Sequence, residues 1–230
     1  MKSKYWIIIY LLALAVDLFA VYSGNETIRY VSKPLLMPLL IGFLIFSTQG
    51  YSSPLKKWMI LALVFSWIGD VMLMFESFDS NYFIFGLVAF LVAHVFYIVL
   101  FDRVRVKENF KQSLLPLLPI AVYYILLISL LQPNLGGMQK PVSIYGLIIS
   151  FMLSFAADLW RLKDKQVSFS IISGAILFIT SDSLLAINKF YKQFEFAGFA
   201  VMITYGIAQL LITLGVARYI SSSSTHKFAE

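Results

Sequence analysis

The run YFIFGLVAFLVAHVFYIVLF, residues 82–101, contains no lysine, arginine, aspartate or glutamate. Its length is close to the roughly 20 residues that an α-helix needs to cross the hydrocarbon core of a bilayer. Backbone groups in lipid must form their hydrogen bonds within the protein, so the run predicts a membrane-spanning helix. A transmembrane β-barrel would instead show short segments of alternating polarity, which are absent from the sequence.

Seven further runs resemble this one, and only 13% of the 230 residues are charged. The expected spans are 5–22, 34–49, 58–75, 82–101, 114–131, 141–159, 168–187 and 196–218. The sequence therefore predicts an all-α, polytopic membrane protein of about eight helices, with one transmembrane domain over residues 1–220. A polar tail, residues 221–230, is expected to be disordered. The first run is long for a signal peptide, so we expect it to be retained as a helix.

Basic residues are divided unequally between the two sides of this bundle. Thirteen of the 18 lysines and arginines lie at the two ends of the chain or in the second, fourth and sixth loops, and five lie on the opposite side. The positive-inside rule then predicts cytoplasmic N- and C-termini, in what we expect to be a bacterial inner membrane. A net charge of +6 that follows loop position in this way gives no indication of nucleic-acid binding.

The sequence also limits the possible chemistry. It has no cysteine, and its two histidines, His94 and His226, are far apart. Disulfides, thiolate metal sites and a cysteine nucleophile are therefore excluded, and no nucleotide-binding or serine-hydrolase motif is present. We expect no metal and no cofactor, so any reaction must use carboxylates, one histidine, tyrosines and lysines.

An internal repeat is a further expectation. Asp70 and Asp182 are 112 positions apart in the third and seventh spans, and His94 and Tyr205 are 111 positions apart in the fourth and eighth. Lys-Pro pairs open the second and sixth spans. These offsets predict two parallel four-helix repeats, residues 1–101 and 114–218. The alternative is coincidence among apolar segments of low complexity.

The candidate site is built on the two intramembrane aspartates, Asp70 and Asp182. A charged side chain within a span costs about 2.5–3.5 kcal/mol on insertion scales, so its presence indicates a function. The neighbouring candidates share helix faces with one another and are His94 with Tyr97 and Tyr205 with Gln209. We expect all six to meet in one cavity that opens to the outside. The alternative is a set of hydrogen bonds that join helices.

Three other charged residues lie in or beside the predicted spans. Lys33 lies near the end of its span and is expected to contact a phosphate at the mouth of the cavity; the alternative is a side chain that snorkels to the interface. Asp17 and Asp158 were not assigned to the site, and Asp158 is expected to lie at the interface near Arg161.

Several short motifs follow one another in order from the second span to the eighth. They are Lys33-Pro34, Gly69-Asp70 with Leu73, His94 with Tyr97, Pro141-Val142 with Tyr145, Ser181-Asp182 with Leu185-Ala186, and Tyr205-Gly206 with Ala208-Gln209. Together they resemble the YhhN-like lysoplasmalogenase family of integral membrane proteins. The resemblance implies hydrolysis of the vinyl ether bond of a lysoplasmalogen to a fatty aldehyde and a glycerophospho-ethanolamine or -choline. It adds Tyr145 to the candidate site.

The candidate residues suit this chemistry. A vinyl ether is cleaved by protonation of its β-carbon, which needs an acid, a base for water and negative charge near the cation. Asp70 and Asp182 are therefore the expected catalytic residues, and the sequence leaves open which is the acid. Substrate binding or orientation is expected from Lys33, His94, Tyr97, Tyr145, Tyr205 and Gln209. The expected partners are a lysophospholipid substrate and membrane lipids.

Two functions of other classes remain open at this point. A proton-coupled transporter of small molecules or lipids would also combine parallel repeats, intramembrane carboxylates and a histidine. A non-catalytic lipid-binding protein would keep Lys33 and would not need Asp182. Release of aldehyde distinguishes the enzyme from both.

Overall fold

A computed structural model describes residues 2–225 of the chain and the side chains of residues 4–222. Every regular element in that part is helical, and eight helices are long and apolar enough to cross a membrane. The helices are α1 (Lys2–Ser23), α2 (Glu26–Ser47), α3 (Leu55–Met74), α4 (Asn81–Lys107), α5 (Leu117–Leu131), α6 (Gln139–Asp158), α7 (Lys165–Ala186) and α8 (Ala197–Thr225). The predicted all-α fold of about eight spans is confirmed.

Six of the helices form a closed ring. Each helix contacts the next in the order α2, α3, α4, α6, α7 and α8, and α8 contacts α2 to close the ring. Helix α1 packs outside this ring against α2 and α8, and α5 packs outside it against α6. The first, third, fifth and seventh connections lie together at one end of the bundle, which we call the odd-loop end.

The start of α2 differs from the prediction. The helix begins at Glu26 and not at residue 34, because the Asn25 side chain caps it by accepting a hydrogen bond from the Ile28 N–H at 3.1 Å. Pro34 and Pro38 therefore lie inside the helix. Pro38 has no N–H to donate to the Pro34 carbonyl, and the Trp67 indole N–H donates to that oxygen at 2.9 Å instead. This bond lets an apolar helix keep two prolines and ties α2 to α3.

Other helix ends also extend beyond the predicted spans. A π-helical turn, Ile187–Tyr191, carries the chain beyond α7 toward the odd-loop end. Helix α8 continues to Thr225, so residues 221–225 are helical where disorder was expected. The remainder of the expected tail, residues 226–230, lies outside the described residues.

The two outer helices are held very differently. The Tyr10 hydroxyl of α1 donates to the Gly206 carbonyl of α8 at 2.8 Å. Gly206 also faces Leu14 so closely that a Cβ there would lie 2.5 Å from the leucine side chain. In contrast, only Ile120 and Leu131 of α5 are buried. Helix α1 thus seals one flank of the ring, and α5 covers the other loosely.

Candidate active site

Asp70 lies about one turn before the end of α3 and is enclosed, with 3% of its side chain exposed. One carboxylate oxygen lies 3.6 Å from the Lys33 ammonium of α2. The other accepts a hydrogen bond from the Tyr205 hydroxyl of α8 at 2.7 Å. A buried charge needs both a counter-charge and hydrogen bonds, and Asp70 has both.

The Tyr205 hydroxyl continues this cluster into a polar network at the centre of the ring. The Gln209 amide donates to Tyr205 at 3.3 Å and to Ser66 at 3.0 Å. The Gln209 carbonyl oxygen accepts from the Tyr97 hydroxyl at 2.5 Å. All of these side chains are buried, and a fully bonded network of this kind holds its members rigidly.

Asp182 occupies the matching depth of α7 but is less enclosed, with 16% of its side chain exposed. Its Oδ2 accepts a hydrogen bond from the Tyr145 hydroxyl of α6 at 2.5 Å. The same oxygen is 3.8 Å from Nε2 of His94, too far for a hydrogen bond. Both ring nitrogens of His94 are buried without a hydrogen-bond partner among the described residues. This histidine is therefore available to a third group beside Asp182.

Two apolar crevices meet at the Asp182 carboxyl group. The first is a narrow, partly open crevice of about 40 Å³ between α3, α4, α6 and α7, and its lining comprises Leu73, Phe83, Leu87, Phe90, Val142, Tyr145, Asp182, Leu185, Ala186 and Phe190. The second, of about 30 Å³, lies between α5, α6 and α7. Tyr145 and Asp182 line both. A single carboxyl group thus faces two narrow crevices whose lining is mostly apolar.

An aromatic wall separates the two aspartates. The Phe178 ring lies 4.8 Å from the His94 ring and 5.4 Å from the Tyr205 ring. The Phe90 ring lies 5.8 Å from Tyr205 and also lines the first crevice. Asp70 lines neither crevice. The rings of Phe90 and Phe178 lie between Asp70 and the first crevice, which Asp182 lines.

Comparison with known proteins identifies the family. The model of the YhhN family matches residues 28–216. The chain belongs to the YhhN family. Human lysoplasmalogenase TMEM86A is 32% identical over 182 residues, covering 76% of this chain and 68% of its own length. Human lysoplasmalogenase TMEM86B is 34% identical over 188 residues, which are 81% of this chain and 74% of that protein. A lysoplasmalogenase of Mycobacterium bovis is 29% identical over 163 residues, 70% of this chain and 60% of its own. No solved structure matches the chain.

The YhhN match contains every candidate site residue, from Lys33 to Gln209. The structure does not bring them into one cavity. It groups them as two clusters, which we call the Asp70 cluster and the Asp182 cluster. The Asp70 cluster comprises Lys33, Ser66, Asp70, Tyr97, Tyr205 and Gln209, and the Asp182 cluster comprises His94, Tyr145 and Asp182.

The expected position of Lys33 is corrected. Its side chain is buried beside Asp70, not placed at the mouth of a cavity or directed to an interface. The start of α2 explains the error: the helix begins at Glu26, after the Asn25 cap, so Lys33 lies two turns inside the span. Its ammonium forms an ion pair with the Asp70 carboxylate.

Some contributors were missed in the sequence. Ser66 lies four residues before Asp70, so the i, i+4 spacing on α3 was a usable signal. Phe90 and Phe178 carry no such signal, because a phenylalanine in an apolar span is indistinguishable from packing. The unassigned acids are structural: Asp17 accepts a bond from Ser32 at 2.8 Å, and Asp158 accepts from the Ser113 N–H at 3.1 Å and lies 3.9 Å from Arg161.

Proposed function

We propose that this YhhN-family protein is a lysoplasmalogenase, a membrane-embedded hydrolase that cleaves the vinyl ether bond of a lysophospholipid. The observation that carries the proposal is the position of Asp182. Among the described residues, its carboxyl group is the one acidic group that lines the two apolar crevices, and beside it lie the Tyr145 hydroxyl and the His94 ring, which has no hydrogen-bond partner there. The alkenyl chain lies in a crevice and brings its first double bond to the carboxyl group.

Asp182 is the acid in this proposal. The Tyr145 hydroxyl occupies Oδ2, so the proton is carried on Oδ1 and is given to the β-carbon of the vinyl ether. The π electrons of the double bond form the new C–H bond, and the α-carbon and ether oxygen share the positive charge as an oxocarbenium ion. The Asp182 carboxylate left behind stabilises that cation at close range.

Water completes the reaction. It attacks the α-carbon and gives one proton to Nε2 of His94, which lies 3.8 Å from Oδ2 of Asp182 and has no hydrogen-bond partner among the described residues. The product is a hemiacetal. The protonated His94 then gives its proton to the ether oxygen while the hemiacetal hydroxyl gives its proton to the Asp182 carboxylate, and the C–O bond breaks. The products are a fatty aldehyde and a glycerophospho-alcohol, and Asp182 recovers its proton.

The Asp70 cluster has a positioning role. Asp70 is screened from the crevices by Phe90 and Phe178 and is paired with Lys33. The hydrogen bond that Asp70 accepts from Tyr205 fixes the Tyr205 ring. Tyr205 packs against Phe178, and Phe178 packs against His94. The two aspartates at equivalent depth thus have different roles: Asp182 acts in bond breaking, and Asp70 positions the aromatic residues beside it.

Aldehyde release tests the proposal. Detergent-purified protein is given a 1-alkenyl lysophospholipid and, in parallel, its saturated 1-alkyl analogue. We expect aldehyde from the first substrate and none from the second, because a saturated ether has no carbon that an acid can protonate. Absence of aldehyde from the alkenyl lipid would reject the enzyme and favour a transporter or a lipid-binding protein.

The proposed orientation places both termini in the cytoplasm, following the basic residues, and so opens the odd-loop end to the outside. The sequence lacks native cysteines, so single cysteines at Gly137 and Lys163 report directly. We expect a membrane-impermeant maleimide to label the first from outside and the second only after permeabilisation. The opposite pattern would invert the orientation.

A further inference from the structure

An ion pair stands at the odd-loop end of the first crevice. Lys189 lies in the π-helical turn after α7, and Glu76 lies in the loop after α3. Their side chains form a salt bridge that joins two helices of the crevice wall, and they remain 39% and 28% exposed. Each charge is therefore accessible from solvent and is held at a defined place.

The aromatic neighbours locate this pair at the mouth of the crevice. The Lys189 ammonium lies 5.0 Å from the centre of the Phe83 ring. Phe83 packs edge-on against Phe190 at 5.7 Å, and both rings line the first crevice. Glu76 follows Leu73, a third lining residue, by three positions. The ion pair thus continues the apolar lining into a polar rim.

We propose that the Glu76–Lys189 pair is the head-group subsite of the first crevice. Lys189 binds the phosphate of the lysophospholipid, and Glu76 binds the ammonium of its ethanolamine or choline. The inference rests on the proposed function, which supplies the lysophospholipid. A zwitterionic head group can replace the internal salt bridge with two new ion pairs, so neither protein charge is left unpaired.

The spacing along the substrate fits the spacing along the helix. Lys189 follows Asp182 by seven residues, which advance roughly 10 Å along a helix. Seven bonds separate the β-carbon of the vinyl ether from the phosphorus atom. Three bonds of an extended chain advance about 3.5 Å, so seven span roughly 8 Å. A lysolipid with its double bond at Asp182 therefore places its phosphate within reach of the flexible lysine.

Other cations toward this end are less suitable. Lys33 is buried against Asp70, and Arg29 pairs with Glu26 at 3.7 Å. Lys192 is exposed three residues beyond Lys189, which makes it a matched control for surface charge. Lys189 differs from them because its ammonium lies over the ring of Phe83, which lines the first crevice.

Binding of saturated ether lipids tests the subsite without requiring hydrolysis. Three probes share one alkyl chain: 1-alkyl-glycerophosphoethanolamine, 1-alkyl-glycerophosphate and 1-alkylglycerol. Their dissociation constants are measured on purified wild-type protein and on Lys189→Gln, Glu76→Gln and Lys192→Gln. Failure of the proposed hydrolysis would show only as missing aldehyde from alkenyl substrates and would leave these constants unaffected.

We expect Lys189→Gln to weaken both phosphate-bearing probes about tenfold and to leave alkylglycerol unchanged. We expect Glu76→Gln to weaken only the ethanolamine probe, and to leave the alkyl-glycerophosphate equal or tighter because Lys189 is then released from its partner. Lys192→Gln should match wild type. The subsite is overturned if wild type does not prefer the ethanolamine probe to alkylglycerol, if each variant weakens all three probes equally, or if Lys192→Gln matches Lys189→Gln.

Discussion

The Asp70 and Asp182 clusters occupy corresponding places in the two halves of the chain and differ in almost every chemical respect. Each aspartate contacts one residue on the preceding helix of the ring and one on a helix across it. The pairs of corresponding residues, 112, 112 and 111 positions apart, are Asp70 and Asp182, Lys33 and Tyr145, and His94 and Tyr205. The same three positions thus hold an ion pair in one half and an unpaired acid in the other.

We propose that this correspondence reflects the predicted parallel repeat. Tyr97 and Gln209 are also 112 positions apart, and they bond to each other at 2.5 Å. Corresponding residues that touch must lie where the two halves meet, so this bond marks the expected axis. The order of helix neighbours agrees, since α4 contacts α6 just as α8 contacts α2.

The difference between the clusters follows from their outer helices. Helix α1 closes the first half, with Tyr10 bonded to Gly206. Helix α5 stands away from the second half and leaves the crevice on which Tyr123, Tyr124 and Asp182 lie. One scaffold therefore produces a sealed polar cluster and an open acid. The sealed cluster suits positioning, and the open one suits chemistry.

The largest predicted effect is on Asp182. Asp182→Asn keeps the side-chain volume and can still accept the Tyr145 bond, but it has no acidic proton. General acid catalysis contributes roughly 10²–10⁴-fold, so we expect kcat for aldehyde release to fall at least about a hundredfold while the protein stays monodisperse in detergent. Near wild-type turnover would remove Asp182 from the chemistry.

Asp70→Asn should act first on stability. It leaves the buried Lys33 ammonium without a counter-charge, and breaking a buried pair in this way costs about 3–5 kcal/mol. We expect a large fall in thermal midpoint, with kcat per folded molecule reduced less than in Asp182→Asn. Lys33→Met combined with Asp70→Asn removes both charges and should recover much of the midpoint. A stable Asp70→Asn protein with no turnover would instead place Asp70 in the reaction.

The two tyrosines that donate to the aspartates give a smaller and matched comparison. Loss of a hydrogen bond to a charged group costs about 1.5–3 kcal/mol. Asp70 carries its charge throughout, whereas Asp182 becomes charged only as it gives its proton to the substrate. Tyr145→Phe should therefore lower kcat by about tenfold or more, because the Asp182 carboxylate that forms in the reaction loses this hydrogen bond. The thermal midpoint should change little. Tyr205→Phe should lower the midpoint and change kcat less. Equal effects of the two variants on kcat would contradict the division of roles.

Much of this organisation was accessible in the sequence because lipid limits what a chain can do. Eight apolar runs of this length form helices in lipid. An ionisable side chain within such a run indicates a function, so the sequence alone identifies Asp70, His94 and Asp182 as candidate site residues. The grouping was not accessible. The position of Lys33 depends on where α2 begins. The Asn25 cap sets that start, and the Trp67 bond to the Pro34 carbonyl lets the helix continue past both prolines. Lys33 therefore lies inside the span and faces Asp70.

The subsite at the crevice mouth was missed for a different reason. Glu76 and Lys189 are 113 positions apart on opposite sides of the ring, and neither lies in a predicted span. Charged residues in loops of a membrane protein are ordinary, so nothing in their pattern distinguishes them. Only the closed ring of helices brings the loop after α3 beside the turn after α7.

Hydrolysis in heavy water tests the central claim most directly, because carbon protonation leaves a mark in the product. The 1-alkenyl lysophospholipid is cleaved in D₂O by wild type, Asp182→Asn and Asp70→Asn, and the trapped aldehyde is analysed by mass spectrometry. The account predicts one deuterium on the carbon next to the carbonyl group, formed by wild type and by the folded fraction of Asp70→Asn, and at least about a hundredfold slower formation of aldehyde by Asp182→Asn. Aldehyde without deuterium, or labelled aldehyde formed at the wild-type rate by Asp182→Asn, would contradict it.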